Sequence, residues 1–362
     1  MGIEEDRVEI LSGVRHGRTI GSPIALTIRN RDWENWQREM AVEPVDGETV
    51  AITRPRPAHA DLAGFAKYNL KDIRPIIERA SARETAARVA VGAVGRRFLE
   101  EFGVVIHSRT IAIGDVTGDS EGDWLCGLGM GEAGRIDWDV VEGSPVRCAD
   151  REVEGAMVSA IDAAKSRGDT LGGVFEVVAT GVPVGIGSHV HWDRRLDGRI
   201  AQAIMSINAV KGVEIGLGFG LASLPGSEAH DAIEPRAGRG GGEERGASDR
   251  GSEPGLPWRR PSNRAGGIEG GISNGEPIVV RVGIKPIATL GDALPSVDLA
   301  TGEGAKGRYE RSDVCVVPAA GVIGEAMLAI VLADACLEKF GGDSLTESLR
   351  NRDSYLSGVA GD

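Results

Sequence analysis

The chain has 362 residues, enough for one large domain or two ordinary ones with a sizeable core. Its formal net charge of −13 excludes a general nucleic-acid binder, which needs a basic face to displace counterions, and leaves only local basic clusters for small anions. Aromatics are 4% of the chain against 41% hydrophobic residues overall, so Val, Ile, Leu and Ala must fill the core. The 53 glycines are spread through apolar segments and point to tight turns and close backbone approaches rather than to disorder.

Cys126, Cys148, Cys315 and Cys336 lie far apart, without the CxxC or Cys/His spacing of a zinc site or disulfide framework, and read as reduced thiols of a cytosolic protein. The opening MGIEEDRVEI lacks the basic and apolar regions of a signal peptide. The most apolar run, Val322 to Leu337, carries Glu325 and Asp334 and is short for a membrane span, so a soluble protein is expected.

In chain order, Arg7 to Ile10 and Pro23 to Ile28 have strand character and flank a turn-rich stretch, Ser12 to Ser22. Helical periodicity runs from Asp72 to Phe102 with Gly103 as the stop, and the capping-box spacing of Ser81 and Glu84 places the helix start near Ala82, after an irregular loop. A strand, Val104 to His107, follows, and then a stretch of poor periodicity from Thr110 to Val146 that predicts a surface excursion. Glu152 to Arg167 reads as a helix, Gly172 to Val178 and Val182 to Ile186 as a hairpin, Asp197 to Ile207 as a helix leading into Ala209 to Gly220, Pro277 to Ile284 as a strand and Gly321 to Phe340 as a helix. The order is mixed, without the alternation of a doubly wound sheet or barrel. Residues 229–261 are low in complexity, rich in glycine and mixed charge, and read as a mobile loop insertion.

Several segments could carry chemistry. Thr53 to Asp61, TRPRPAHAD, is a proline-stiffened loop with Arg54, Arg56 and His59, suited to anions and proton exchange but equally readable as a solvated loop. Arg79-Ala80-Ser81 precedes a helix start, where free N–H groups attract phosphate and where an ordinary N-cap would look the same. Ser262 to Gly275 is a glycine-rich loop that is neither a P-loop nor GxGxxG. Gly216, Gly218 and Gly220 form a GxGxG that is more often a turn. His189 and His191 would share one strand face but have no evident third metal ligand, and His16, His107 and His230 give no separate signal. Arg311-Ser312-Asp313 leads into an apolar strand, VCVVP, and a surface ion pair would explain both charges. Together these give arginines near phosphate-friendly backbone, one histidine and one carboxylate, with no nucleophile triad and no metal cluster.

Eight ordered blocks, LSGVRHGRTIGSPIAL, RPRPAHADLAGFAKY, RASARETAARVA, GDTLGGVFEVVATGVPVG, INAVKGVEIG, NRAGGIEGGISNGEP, KPIATL and RSDVCVVPAAGVIGEAM, resemble the chorismate synthase family across nearly the whole chain. The resemblance implies an α+β fold, a β-α-β sandwich in a single large domain spanning 1–362, assembled as a homotetramer. It implies reduced FMN (FMNH2) as cofactor, supplied from outside or by an external flavin reductase, and 5-enolpyruvylshikimate 3-phosphate as substrate. The reaction is a redox-neutral 1,4-anti elimination giving chorismate and phosphate in the shikimate pathway. Flavin-contacting positions carried onto this chain are Arg79, Ala80, Ser81, Asn208, Ala209, Gly270, Lys285, Pro286, Ile287, Ala288, Thr289 and Arg311. His59 resembles the histidine that controls flavin protonation and Asp313 the carboxylate that assists flavin N5, while Arg56 and Arg311 would hold the substrate's anionic groups.

The same resemblance implies a first strand, a Gly-Glu-Ser-His-Gly motif whose histidine protonates the leaving phosphate, and an arginine-rich loop, none of which is in these 362 residues. A general acid is worth roughly 10²- to 10⁴-fold in rate, so poor activity is the expectation for this sequence alone. Two other readings stand beside the lyase: a flavin- or anion-binding protein without catalysis, and an added NADPH-dependent flavin reductase activity, for which no nucleotide fingerprint is present.

Overall fold

The computed structural model describes residues 6–47, 49–118, 136–236 and 256–360. Cys126 and the centre of the glycine-rich stretch lie outside the described residues. The chain is mixed helix and sheet and divides into two compact units, Met1–Ala90 with Ala288–Arg311, and Val91–Ile287 with Ser312–Asp362.

The second unit is built on a five-stranded antiparallel sheet, in the order Val116–Thr117, Val105–Ile113, Gly173–Thr180, Ile278–Ile284, Val210–Ile215. The strand expected at Val104 to His107 therefore runs well into the stretch read as a surface excursion. The hairpin expected between Gly172–Val178 and Val182–Ile186 does not form. Gly173–Thr180 instead lies between two partners distant in sequence, and Val182 and Ile186 are buried without joining a strand. Local alternation cannot distinguish these outcomes, because a central strand's partners are set by long-range pairing.

One face of the sheet is covered by the helix Val317–Phe340, which starts four residues before the expected position, with a proline in its first turn where no N–H is needed. The expected VCVVP strand shrinks to a single bridge, Leu171 to Cys315. The helix is long and apolar enough to cross a membrane, but 67% of its most apolar window is buried inside the protein, which makes it a core helix. Close approach depends on absent side chains. A Cβ on Gly324 would come within 2.9 Å of both Phe175 and Val177, and one on Gly321 within 2.8 Å of the Ser108 hydroxyl. From the helix Glu84–Glu101, Gly92 meets Ala326 in the same way.

Strand alternation puts Arg109, Glu176 and Arg281 on the opposite face, side by side in register. Glu176 is fully buried and accepts from Arg109 Nε at 3.1 Å and from Arg281 Nε at 3.2 Å.

The first unit has a small core of Ile52, Ile73 and Ile77, with Phe65 and Leu299 packed against it. Around it stand the ribbons Val8–Ile10 with Leu26–Ile28 and Pro295–Val297 with Gly304–Lys306, and the helices Asp61–Tyr68 and Arg74–Arg79. The helical periodicity over Asp72 to Phe102 is carried by two helices parted at 80–83, and the second, Glu84–Glu101, begins two residues after the start expected near Ala82. The capping box is not made. Glu84 directs its carboxylate to Arg79 (3.0 Å) and Arg88 (2.7 Å), and the Ser81 hydroxyl accepts from the Arg83 N–H instead. The described flanks of the glycine-rich insertion are tied together by a short ladder, Glu234–Pro235 with Trp258–Arg259.

Two substitutions separate the roles of the sheet's faces. Glu176→Gln removes the buried charge between two guanidinium groups and is expected to cost about 3–5 kcal/mol. Gly324→Val overpacks the helix face and is expected to cost about 1–3 kcal/mol. Denaturant unfolding of each variant against the parent measures both.

Candidate functional site

The residues marked by the sequence fall in both units. In the first, the prolines of the Thr53 to Asp61 loop hold the chain extended until a turn in which the His59 N–H donates to the Arg56 carbonyl. Ala58 sits inside that turn at φ 61°, in the left-handed region that a side chain disfavours. The loop is anchored from the stretch 288–311: Ser296 Oγ donates to the Pro55 carbonyl at 2.6 Å, and the Leu299 N–H to the Thr53 carbonyl at 2.8 Å.

The turn brings three ionisable side chains together. Asp61 is fully buried and Arg56 is 8% exposed. Asp61 Oδ2 accepts from the Arg56 N–H (3.0 Å) and Nε (2.9 Å), and Oδ1 from Arg56 Nη2 (3.2 Å). His59 Nδ1 lies 2.5 Å from Oδ1. Burial pushes the Asp61 carboxyl upward, but the hydrogen bonds from His59 and Arg56 outweigh it and hold the group well below the usual carboxylate range. Arg56 Nη1 reaches Thr289 Oγ1 at 3.4 Å, which ties a residue of the KPIATL segment to the loop. The sequence marked Arg56, His59 and Thr289. It did not mark Asp61, whose role is invisible until burial is known.

Elsewhere in this unit, Arg79 is exposed and paired with Glu84, Ala80 ends the helix Arg74–Arg79, and Ser81 opens the turn before the next helix. Ala288 is half-buried. Arg311 is exposed, and its charge adds to the hydrogen bonds from Asn35 and Trp36 that lower the Asp32 carboxyl.

In the second unit, Asn208 and Ala209 precede the edge strand Val210–Ile215, with Ala209 at φ 66°. The Lys285 N–H donates to the Ala209 carbonyl at 3.0 Å, so Lys285 leaves the strand Ile278–Ile284 directly opposite that residue. The ladder slips by one residue at Gly283/Ile284, leaving Lys211 as the extra residue and diagonal neighbour of Lys285. Burial, reinforced by the charge of Lys211, holds the Lys285 ammonium below its usual range. The backbone here is closely packed: a Cβ on Gly172 would meet the Ile284 carbonyl at 2.3 Å and the Pro286 nitrogen at 2.8 Å, and Thr170 Oγ1 donates to the Ile287 carbonyl at 2.8 Å. Thr170, Gly172 and Lys211 were missed by the sequence reading, since their contacts cross the sheet.

Gly270 turns the ribbon Ile268–Glu269 with Ile272–Ser273 at φ 59°, and a Cβ there would meet open space. Asp313 is exposed. Asp231 organises the glycine-rich loop, accepting from Ser262 Oγ and from the N–H groups of Arg264 and Ala265. Gly216 and Gly218 have positive φ and form a turn rather than a nucleotide loop. His189 and His191 are exposed in a bend rather than on a strand, and no group of three metal-ligating side chains occurs among the described residues.

The geometry of Asp61 sets an acid limit. Its carboxyl is depressed in the folded protein, so the unfolded chain takes up the proton first as pH falls. Its contribution is therefore complete above about pH 4 and is lost as pH drops through the folded value. Asp61→Asn is expected to melt lower than the parent at neutral pH, with the gap narrowing below about pH 4. Thermal unfolding across pH measures it.

A family model described as chorismate synthase matches residues 1–337. A chorismate synthase of Moorella thermoacetica is 55% identical over 345 residues, covering 95% of this chain and 83% of that protein. One of Saccharopolyspora erythraea is 51% identical over 368 residues, covering 99% of this chain and 85% of that protein. A crystal structure of chorismate synthase superposes with a TM-score of 0.74 at 44% identity, covering 99% of this chain and 86% of that one.

Proposed function

The chain belongs to the chorismate synthase family, and from that premise we propose that it is a carbon–oxygen lyase of aromatic amino-acid biosynthesis, converting 5-enolpyruvylshikimate 3-phosphate to chorismate and phosphate. One C–O and one C–H bond break, a double bond forms, and no net oxidation occurs. The observation that carries this reading is the family match over residues 1–337, which spans the Arg-Pro loop, the sheet and the KPIATL segment. A catalytically impaired, merely flavin-binding role has nothing in these matches to favour it.

The family implies a flavin, and we take it as reduced FMN, which when bound supplies transient electron density and an acceptor for the departing proton. The chain's own residues fit such a group. The Lys285 and Lys211 ammonium groups repel one another across the ladder, and a phosphate beside them would relieve that repulsion. Gly270 presents bare backbone to open space, which suits a flat ring. On this reading Arg79, Ala80, Ser81, Asn208, Ala209, Gly270, the run Lys285 to Thr289 and Arg311 hold the cofactor. His59 exchanges a proton at its ring, Asp313 assists as a carboxylate, and Arg311 holds an anionic group of the substrate.

The reading extends to a cytoplasmic homotetramer supplied with reduced flavin by a separate reductase. The ribbon Val8–Ile10 with Leu26–Ile28 supports assembly: Val8 and Ile10 share one face with their cross-strand partners and are 46% and 55% exposed.

Anaerobic incubation of 5-enolpyruvylshikimate 3-phosphate with the protein and chemically reduced FMN is expected to yield chorismate and phosphate in equal amounts. His59→Asn is expected to lower kcat by about 10²- to 10⁴-fold. Absence of chorismate with the parent protein would sink the lyase reading.

A further inference from the structure

The glycine-rich loop Ser262 to Gly275 carries a hairpin whose two central residues, Gly270 and Gly271, have φ of 59° and 88°. Positive φ at both positions lets a two-residue loop match the twist of its strands. The two glycines meet different surroundings. A Cβ on Gly271 would lie 2.7 Å from the Ser188 carbonyl oxygen and 2.8 Å from Arg195 Cγ, whereas one on Gly270 would meet nothing within 4 Å. The Gly271 carbonyl accepts from the N–H groups of Ser188 at 3.1 Å and Leu196 at 3.0 Å. One half of the turn is fastened to the protein, and the other half is presented.

The ribbon behind this turn has only two residue pairs, Ile268 with Ser273 and Glu269 with Ile272, and so short a ladder has little stability of its own. The strand that leaves the turn is held by backbone. The Gly185 N–H donates to the Ser273 carbonyl at 2.9 Å, the Ser273 N–H to the Ile186 carbonyl at 2.8 Å, and Ser273 Oγ to the Pro183 carbonyl at 2.7 Å. The strand that enters the turn is held through a side chain, Glu269. Arg260, 7% exposed, donates from Nε to Glu269 Oε1 and from Nη2 to Oε2, each at 2.8 Å. Its Nη1 reaches the Asn274 carbonyl at 3.3 Å, and Asn274 Nδ2 donates to Glu269 Oε1 at 3.1 Å. Asn274 is itself buried, with its Oδ1 accepting from the Glu276 N–H at 3.0 Å. One guanidinium therefore ties the residue before the turn to the residue that closes the ribbon.

A buried guanidinium needs a counter-charge, and a two-point fork fixes the orientation of a carboxylate as a single contact would not. Glu269 is the chain neighbour of Gly270, so holding its side chain also holds the backbone that enters the open half of the turn. We infer that Arg260, Glu269 and Asn274 are positioning residues that keep Gly270 in place for the flavin ring. The inference rests on the reading of Gly270 as a flavin contact, and it adds to that reading the groups that preorganise the turn.

The sign of the effect separates positioning from charge. FMN is an anion, so removing the negative charge of Glu269 would by itself tighten its binding, while loosening the turn weakens it. Titration of oxidised FMN into the full chain, followed by quenching of flavin fluorescence, reads Kd without turnover. Glu269→Gln is expected to raise Kd about 10-fold, and Arg260→Lys, which keeps the charge but loses the fork, to do the same. Gly270→Ala places a side chain in the left-handed region and is expected to raise Kd as well. Glu269→Gln added to Gly270→Ala is expected to raise it by less than about 2-fold further, because both act on one turn. Gly324→Val, which disturbs the distant helix face, is expected to lower Tm and leave Kd within about 2-fold.

An unchanged or lower Kd in Glu269→Gln would overturn the inference. Equal weakening in Gly324→Val would do so too, since the effect would then be general loosening, as would full additivity with Gly270→Ala. If Glu269→Gln does not fold, Arg260→Lys decides by the same comparison. A parent protein that does not quench FMN takes down the flavin reading and this inference together, whereas a parent that binds FMN with both variants unmoved overturns the inference alone.

Discussion

The helix Val317–Phe340 can lie against the sheet only because Gly321 and Gly324 present no side chain to Ser108, Phe175 and Val177, and much of the larger unit follows from that contact. The same closeness brings Glu325 inside. It is 4% exposed, its carboxylate accepts from Ser108 Oγ at 2.7 Å and from Arg96 Nη1 at 2.8 Å, and Arg147 Nη2 lies 3.1 Å away. Burial raises its pKa, while the Ser108 hydroxyl and the two arginines oppose the rise. A slide of the helix by one turn would strand this carboxylate in apolar surroundings and drive Cβ atoms into Phe175. The register is therefore fixed twice, by shape and by charge. On the sheet's other face, Glu176 between Arg109 and Arg281 locks the central strands by the same logic.

A sheet clamped on both faces can hold its strand ends in conformations they would not adopt alone. Lys285 emerges from a central strand at the point where the ladder slips past Lys211, and its backbone is closed in by Gly172 and Thr170. The two lysines are thus kept near each other against their repulsion. In the smaller unit the loop around Asp61 reaches a similar end by different means, with proline stiffness and a buried ion pair in place of a sheet.

Much of this was legible in the sequence, and the losses have physical causes. The helices Arg151–Ser166, Leu196–Met205 and Val317–Phe340 announce themselves because helical periodicity is local. The strand Gly173–Thr180 was visible, but its neighbours were not: it pairs with segments about 70 residues before and 100 after it, and nothing in a period-2 pattern names a partner. The order of motif blocks revealed the family and, through it, Arg56, His59 and the KPIATL segment. Asp61 stood two residues from His59 in a motif that had been singled out. It passed as a loop carboxylate because only burial separates a buried counter-charge from a solvated one.

Backbone strain falls on two of the segments that the sequence singles out. Among the described residues, five other than glycine have positive φ: His16, Ala58, Asn69, Arg147 and Ala209. His16 turns the tight ribbon of Val14–Arg15 with Arg18–Thr19 together with Gly17, and Asn69 caps the helix Asp61–Tyr68, so both have ordinary reasons. Arg147 folds back to reach Glu142 and Glu325. The two alanines have neither a turn-forming side chain nor an ion pair to account for them, and each costs about 1–2 kcal/mol relative to a relaxed residue. Ala58 folds Arg56 onto His59, and Ala209 receives the Lys285 N–H. Strain of that size persists only where the surroundings over-determine it, and here it falls in the turn between Arg56 and His59 and at the residue opposite Lys285.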